Sequence, residues 1–469
     1  MARVLIASPP VARRVQHHDY GFMPFLGMGY LAGVMRARGH DVRVADSRLG
    51  RVDLSGLLDL ARGFRPDVVG LSAMTHEILT AFDAAASLRR VRPETRIALG
   101  GPHATALPRR TLEECAALDL VCFGEGEHTL AEAAAAWAGG GDLEDCAGAA
   151  WRDRSGGAHQ GGPRPWIRDL DALAFPAWDL FPRSTTYPIM TARGCPHRCN
   201  FCSRALGSGF RTRSPANVLE ELEWLVREFR PRLIRFEDET LTWNPAHVNA
   251  ILDGILSRGL HRRTGFSGQT RVDRVDRALF RRLKEANFRI VEMGVESGNP
   301  GLLAASGKRI DVERVRASFA AAREAGLRTW ANFILGHPHE TVTTVRDSIE
   351  LAVELNPTLV SFAIMVPYPG TEVWELARRG EGGYRMIQTD WGAYDKFLGN
   401  VLELEDLPRP VLERWQIRGY ATVFLRNHRY GDFARLVWKH RRAAAALVRK
   451  LGRRARSPAF AAPRTPTTS

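Results

Sequence analysis

Cys195-Pro196-His197-Arg198-Cys199-Asn200-Phe201-Cys202 sets three thiols at C-x3-C-x2-C spacing. The apolar run before it, Tyr187 to Ala192, reads as a β-strand, so the sulfurs fall on the loop at that strand's carboxyl end. So short a loop grips a single metal centre. A [4Fe–4S] cubane has four irons, and three protein thiolates leave one open, as a catalytic metal site leaves one position open. Zinc is the competing reading. A structural zinc needs a fourth ligand close by, and the direction of His197, inside the loop, is not fixed by sequence.

Outward from this loop the pattern alternates strands with amphipathic helices. Downstream strands are expected at Leu233–Glu237, Gly265–Gln269, Ile290–Val295, Arg328–Ile334 and Leu359–Met365. With Tyr187–Ala192 they make six β/α units, a partial TIM-like (β/α)6 barrel spanning 186–390, whose active site sits at the strand carboxyl ends. Upstream, residues 1–140 show a second alternating series: Arg3–Ala7, Asp41–Ala45, Asp67–Ser72, Arg96–Leu99 and Leu118–Phe123. That series predicts a doubly wound, Rossmann-like α/β domain whose strands end in small or Gly-rich turns, where ligands of open sheets bind. Residues 141–185 read as a linker with a hairpin around Arg154–Gly162. Strands are expected to stop near 390, leaving a helical C-terminal region, 391–456, and a Pro/Thr-rich tail, 457–469, expected to be disordered.

Composition restricts the function classes. The chain has 469 residues, 45% hydrophobic and 25% charged, as in soluble globular proteins, and no stretch approaches a membrane span or a signal peptide, so a cytoplasmic location is expected. The formal charge of +14 is nearly all arginine, scattered along the chain, with lysine only at 284, 308, 396, 439 and 450; a nucleic-acid partner is not favoured. The one basic concentration, Arg435 to Arg456, reads as a solvated amphipathic helix. Cys115, Cys122 and Cys146 stand singly among apolar neighbours, as buried small hydrophobes do.

With these motifs in view the chain resembles the radical S-adenosylmethionine superfamily, in its class B branch with an N-terminal cobalamin (B12)-binding domain. The resemblance implies that the open iron chelates S-adenosylmethionine and that one electron from the cluster releases a 5′-deoxyadenosyl radical. It also implies a site, residue by residue. Beside Phe201 of the loop, Glu237-Asp238-Glu239 would hold the methionine amine and Arg271 its carboxylate. Gly294-Val295-Glu296-Ser297-Gly298 would offer Glu296 and Ser297 to the ribose, and Phe333-Ile334-Leu335-Gly336-His337-Pro338 would pass Ile334 and Gly336 along the adenine. Such a zwitterionic, ribose-bearing ligand needs donors and acceptors of this kind.

For the first domain, Pro9-Pro10, the turn carrying Ser72 and Thr75, Gly100-Gly101-Pro102-His103 and Gly124-Glu125-Gly126-Glu127 match the cobalamin-binding pattern. The D-x-H-x-x-G fingerprint for an axial histidine is missing; Gln16-His17-His18-Asp19-Tyr20-Gly21 offers only H-x-x-G, with His18 as the nearest substitute. The two cofactors imply a methyltransferase that uses methylcobalamin to alkylate an unactivated carbon, or phosphorus, of a small-molecule biosynthetic intermediate, with an electron donor such as flavodoxin or ferredoxin. The alternative among enzymes is a radical cyclase, oxidoreductase or ring-rearranging enzyme, with or without cobalamin. A cobalamin-binding regulator is the non-enzymatic alternative, but it has no need of a thiolate loop.

Overall fold

The protein, a computed structural model, is described over residues 1–10, 23–50, 52–395 and 400–439. Five apolar runs form parallel strands, β1 (Arg3–Ala7), β2 (Asp41–Ala45), β3 (Val68–Ser72), β4 (Arg96–Gly100) and β5 (Leu120–Cys122), in the order β2-β1-β3-β4-β5. Alternate side chains of β1 enter different cores: Val4 and Ile6 join one apolar cluster, Leu5 and Ala7 another. A sheet buried on both faces requires this near-continuous apolar character.

Residues 141–185, expected as a linker, in part extend this sheet. β6 (Ala149–Arg152) and β7 (Ala158–Gln160) form the hairpin, and β6 pairs antiparallel with β5. Ala149, Ala150 and Trp151 are buried there, so the segment gains more by covering the β5 edge than by remaining free. Farther on, Phe175 to Trp178 lies against the helix Leu26–Ala37. Gly29 and Gly33 permit the approach, since a Cβ at either would stand 2.6 Å from the Trp178 ring or 2.3 Å from the Phe175 carbonyl.

The second sheet holds six parallel strands: β8 (Thr186–Ile189), then, after the short strands β9 (Ala192–Arg193) and β10 (Arg211–Thr212), β11 (Leu233–Phe236), β12 (Gly265–Thr270), β13 (Phe288–Glu296), β14 (Arg328–Leu335) and β15 (Leu359–Ile364). Their order, β15-β14-β13-β12-β11-β8, is that of a barrel left open on one side. Helices begin where short polar side chains accept the orphan amides of the first turn: Ser214 caps Pro215–Glu228, Asp276 caps Arg277–Glu285 and Thr341 caps Val342–Leu355.

Strands do not stop at 390. β16 (Tyr384–Met386) and β17 (Leu402–Leu404) pair antiparallel, and three residues are too few to show a period in sequence. The helix Arg409–Arg426 then covers the open β15 edge: the Tyr420 hydroxyl accepts from the Phe362 amide (3.2 Å) and Gln416 Nε2 donates to the Phe362 carbonyl (2.7 Å). No helix of the described residues is long and apolar enough to cross a membrane. His18, the basic run from residue 440 onward and the 457–469 tail lie outside the described residues.

Candidate active site

β9 and β10 pair antiparallel and frame residues 194–210 as an excursion at the barrel mouth. Gly194 opens it at φ +87°, where a Cβ would stand 2.1 Å from the Gly209 carbonyl oxygen. Backbone bonds then fix the turn: Cys195 N donates to Gly207 O (3.1 Å), Cys202 N to Cys199 O (3.1 Å) and Asn200 N to Ser306 O (3.0 Å). Cys195 and Cys199 are half-buried and Cys202 exposed, all as free thiols, whereas Cys115, Cys122 and Cys146 are buried. Among the described residues no three His, Cys, Asp or Glu side chains form a site for a single metal ion. Ligands of a cubane bind separate irons and need not converge on one point. His197 packs edge-on against Trp243, with ring centroids 5.1 Å apart, and burial lowers its pKa to about 4, so it stays neutral. Three accessible sulfurs on one braced loop are a donor set that fits a [4Fe–4S] cluster.

The three acidic residues after β11 separate. Glu237 is taken by Arg235 (2.5 Å) inside the barrel. Asp238 is fully buried and accepts from Thr191 N (2.9 Å), Thr191 Oγ1 (2.9 Å) and Ala192 N (2.5 Å), which places it under the approach to the cysteine loop. Burial raises its pKa to about 7. Glu239 is the member near the thiols. Burial raises its pKa, while the Gly194 amide, Arg211 and Arg193 pull it back, and its charge acts on Cys202.

Arg271 is buried, donating to Asp273 (2.9 and 3.2 Å) and to the Lys308 carbonyl (2.6 Å). Glu296 ends β13 at φ +69°, an uncommon conformation for a side-chain-bearing residue, and pairs with Lys308, whose ammonium also donates to Gly294 O (2.7 Å). Burial raises the pKa of Cys199, with Lys308 and Arg271 acting against that rise. Ser297, expected at the ribose, has no exposed surface. Its hydroxyl meets Ser348 Oγ (3.2 Å) and accepts from Asn299 N (3.1 Å), which braces the turn after β13. Ile334 is half-buried, and Gly336, at φ +94°, donates its amide to Glu340 and accepts from the Tyr384 hydroxyl (2.8 Å). Phe201 lies edge-on to His337 at 6.1 Å.

In the first domain Ser8 and Ser47 join at 2.8 Å and Ser47 Oγ donates to Pro9 O (2.6 Å), closing the turn through Pro9 and Pro10. Ser72 is half-buried and Thr75 buried. Gly101 adopts φ +109° against the Ala73 carbonyl, where a Cβ would stand at 2.5 Å. Gly100, Gly101, Gly124 and Gly126 thus give the β4 and β5 ends a floor poor in side chains, which fits a broad flat ligand such as a corrin. Pro102 starts the short helix over which His103 turns inward: the buried imidazole lies edge-on to Trp391 at 4.7 Å, both nitrogens without a partner, and burial lowers its pKa to about 4. Glu125 and Glu127, expected to face the same ligand, instead reach the barrel. Glu125 pairs with Arg193 (2.8 Å) and Arg211 (2.9 Å), and Glu127 with Arg193 (2.7 Å). Two carboxylates buried beside the barrel's guanidiniums are far more stable paired than facing an apolar macrocycle.

Arg193, Arg211 and Lys308 are functional candidates that sequence reasoning passed over. Arg193 stands two positions before Cys195, and Lys308 is one of five lysines in an arginine-rich chain.

Comparison with known proteins agrees with this geometry. A family model for the B12 binding domain matches residues 15–134 and one for the radical SAM superfamily matches 189–352. An uncharacterized methyltransferase of Pyrococcus horikoshii is 30% identical over 90% of this chain and 93% of its own. The anaerobic magnesium-protoporphyrin IX monomethyl ester cyclase of Cereibacter sphaeroides is 28% identical over 87% of this chain and 68% of its own. In fold, the radical S-adenosylmethionine methyltransferase TsrM of Kitasatospora setae, solved with cobalamin and a [4Fe–4S] cluster, superposes with a TM-score of 0.73 at 19% identity, covering 91% of this chain and 89% of that one. The chain therefore belongs to the radical S-adenosylmethionine enzymes that carry a B12-binding domain, a family whose cofactors are a [4Fe–4S] cluster, S-adenosylmethionine and cobalamin.

Proposed function

We propose that the protein methylates an unactivated carbon, or phosphorus, of a small-molecule biosynthetic intermediate. The observation that carries this reading is the placing of three free thiols at the mouth of a partial barrel, on a loop framed by β9 and β10, whose Arg193 and Arg211 pair with Glu125 and Glu127 of the B12-binding domain. When bound, the cluster with S-adenosylmethionine supplies a hydrogen-abstracting 5′-deoxyadenosyl radical, and cobalamin supplies the methyl group. Cys195, Cys199 and Cys202 hold the cluster. Glu239 takes the methionine amine, because its charge is the one of the three that reaches Cys202. Arg271 and Lys308 provide positive charge for the carboxylate beside Cys199, and Glu296 stands at the ribose. Ile334 and Gly336 border the adenine. The Gly100-Gly101 and Gly124 turns receive the corrinoid, with Pro9, Pro10, Ser72 and Thr75 along its edge. The buried β13 and β14 ends exclude water from the radical. Electrons come from a one-electron donor such as flavodoxin or ferredoxin, in the cytoplasm, where thiols stay reduced.

A second reading, a radical cyclase, is favoured by the cyclase-named relative. Anaerobic reconstitution followed by iron, sulfide and corrinoid assay tests the cofactors, and product analysis separates the reactions. About one cubane and one corrinoid per chain, with S-adenosylhomocysteine released alongside 5′-deoxyadenosine, supports methyl transfer. 5′-Deoxyadenosine without S-adenosylhomocysteine supports the cyclase. Failure of the Cys195, Cys199 and Cys202 triple alanine variant to lose iron would overturn both.

A further inference from the structure

Besides their shared apolar clusters, the two halves of the molecule are joined by an ionic group beside the thiol loop. Arg193 is buried to about 5% side-chain exposure and spends its two terminal nitrogens on two different carboxylates of the first domain, Glu125 and Glu127. Its guanidinium also lies 5.0 Å over the ring of Tyr30 from the same domain. Arg211, Arg193's cross-strand partner, binds Glu125 as well and donates to the Ile167 carbonyl (2.7 Å). Two glutamates and two arginines make a charge-balanced group, and β9 and β10, which carry the arginines, are the two strands framing the thiol loop. The glutamates sit in the Gly124–Glu127 turn at the β5 carboxyl end, part of the floor assigned to the corrinoid. Short, buried, charge-assisted bonds therefore join that turn to the two strands that frame the loop.

We infer that Arg193 is a positioning residue linking the two cofactor sites: a ligand that orders the Gly124–Glu127 turn also orders the thiol loop, and a cluster on the loop tightens the turn in return. Linkage of this kind is reciprocal, and a coupling of usual strength changes affinity or opening about 5-fold or more. The inference rests on the cofactor reading above.

Cluster-free protein provides the test, with hydroxocobalamin as the probe. The alkylation rates of Cys195, Cys199 and Cys202 by iodoacetamide are read by mass spectrometry with and without the corrinoid, and binding is followed separately by its visible absorbance. In the wild type, bound hydroxocobalamin slows alkylation of the three thiols about 5-fold or more. Arg193→Gln and the milder Glu127→Gln still bind the corrinoid but lose most of that protection, and Arg193→Lys, which keeps the charge, regains part of it. Protection unchanged in Arg193→Gln or Glu127→Gln overturns the inference, since the corrinoid would then shield the thiols directly. So does wild type that binds the corrinoid without protection. Wild type that binds no corrinoid instead overturns the cofactor reading on which the inference stands. Should Arg193→Gln fail to fold, Glu127→Gln, which deletes one bond of the group, carries the comparison.

Discussion

Asp238 offers the sharpest separation between a residue that holds the site and one that touches its ligand. Replacing it with alanine strips the acceptor from two buried backbone amides, Thr191 N and Ala192 N, while the Thr191 hydroxyl can still turn to His247 Nε2 at 3.4 Å. Each buried amide left unsatisfied costs about 1–3 kcal/mol, so Asp238→Ala is expected to lose roughly 2–6 kcal/mol. At about 2–4 °C per kcal/mol that is a fall in Tm of roughly 5–20 °C. Asp238→Asn keeps an oxygen for both amides, and the atom it changes, Oδ2, is buried without a partner. Since burial already holds the carboxyl pKa near 7, losing the charge costs little, and the asparagine variant is expected within about 1 kcal/mol of wild type. Thermal denaturation of the cluster-free protein near neutral pH, paired with iron and sulfide content after reconstitution, reads both effects. The reasoning is refuted if Asp238→Ala melts with wild type. It fails equally if Asp238→Asn keeps its Tm yet loses its iron, since the charge itself would then be needed at the cluster.

Lys308→Met leaves the buried Glu296 carboxylate unpaired and should destabilise by about 3–5 kcal/mol in denaturant titration, most of it recovered in Lys308→Met/Glu296→Gln. Gly194→Ala puts a Cβ into the Gly209 carbonyl at the buried start of the thiol loop, so iron content after reconstitution should drop sharply. Glu340 is raised to about 8 by burial, so the folded state holds its proton more tightly than the unfolded chain does. Its contribution to stability is full below the unfolded value of 4.5 and is lost as pH rises through the folded one; Glu340→Gln, which keeps an acceptor for the Gly336 and His337 amides, should therefore match wild type near pH 4.5 and exceed it at pH 8 by an amount of order 2–4 kcal/mol. Equal pH slopes for the two proteins would dismiss a protonated Glu340.

Parallel strands buried on both faces write themselves as apolar runs, which is why Arg3–Ala7 is readable residue by residue and why the expected Arg96–Leu99 and Gly265–Gln269 stop one residue short of Arg96–Gly100 and Gly265–Thr270. Thiols at C-x3-C-x2-C spacing were equally legible, because few other chemistries use that pattern. Pairing across the fold was not. Glu125 and Glu127 have the position of ligand-binding residues, and nothing local reveals that two arginines more than sixty residues away will claim them. Nor does anything local show that the Ser297 hydroxyl meets Ser348, on the helix Val342–Leu355. β17, with three residues and no period, falls below the length at which periodicity speaks.

An incomplete barrel has a raw flank, and here the helix Arg409–Arg426 acts as its missing stave. With Gln416 and Tyr420 occupying the polar backbone groups of Phe362, no foreign strand can dock along β15. Those turns of helix are thus a guard against self-association, and a version of this enzyme shortened to end between β17 and residue 409 should precipitate through that uncovered flank long before its chemistry could be examined.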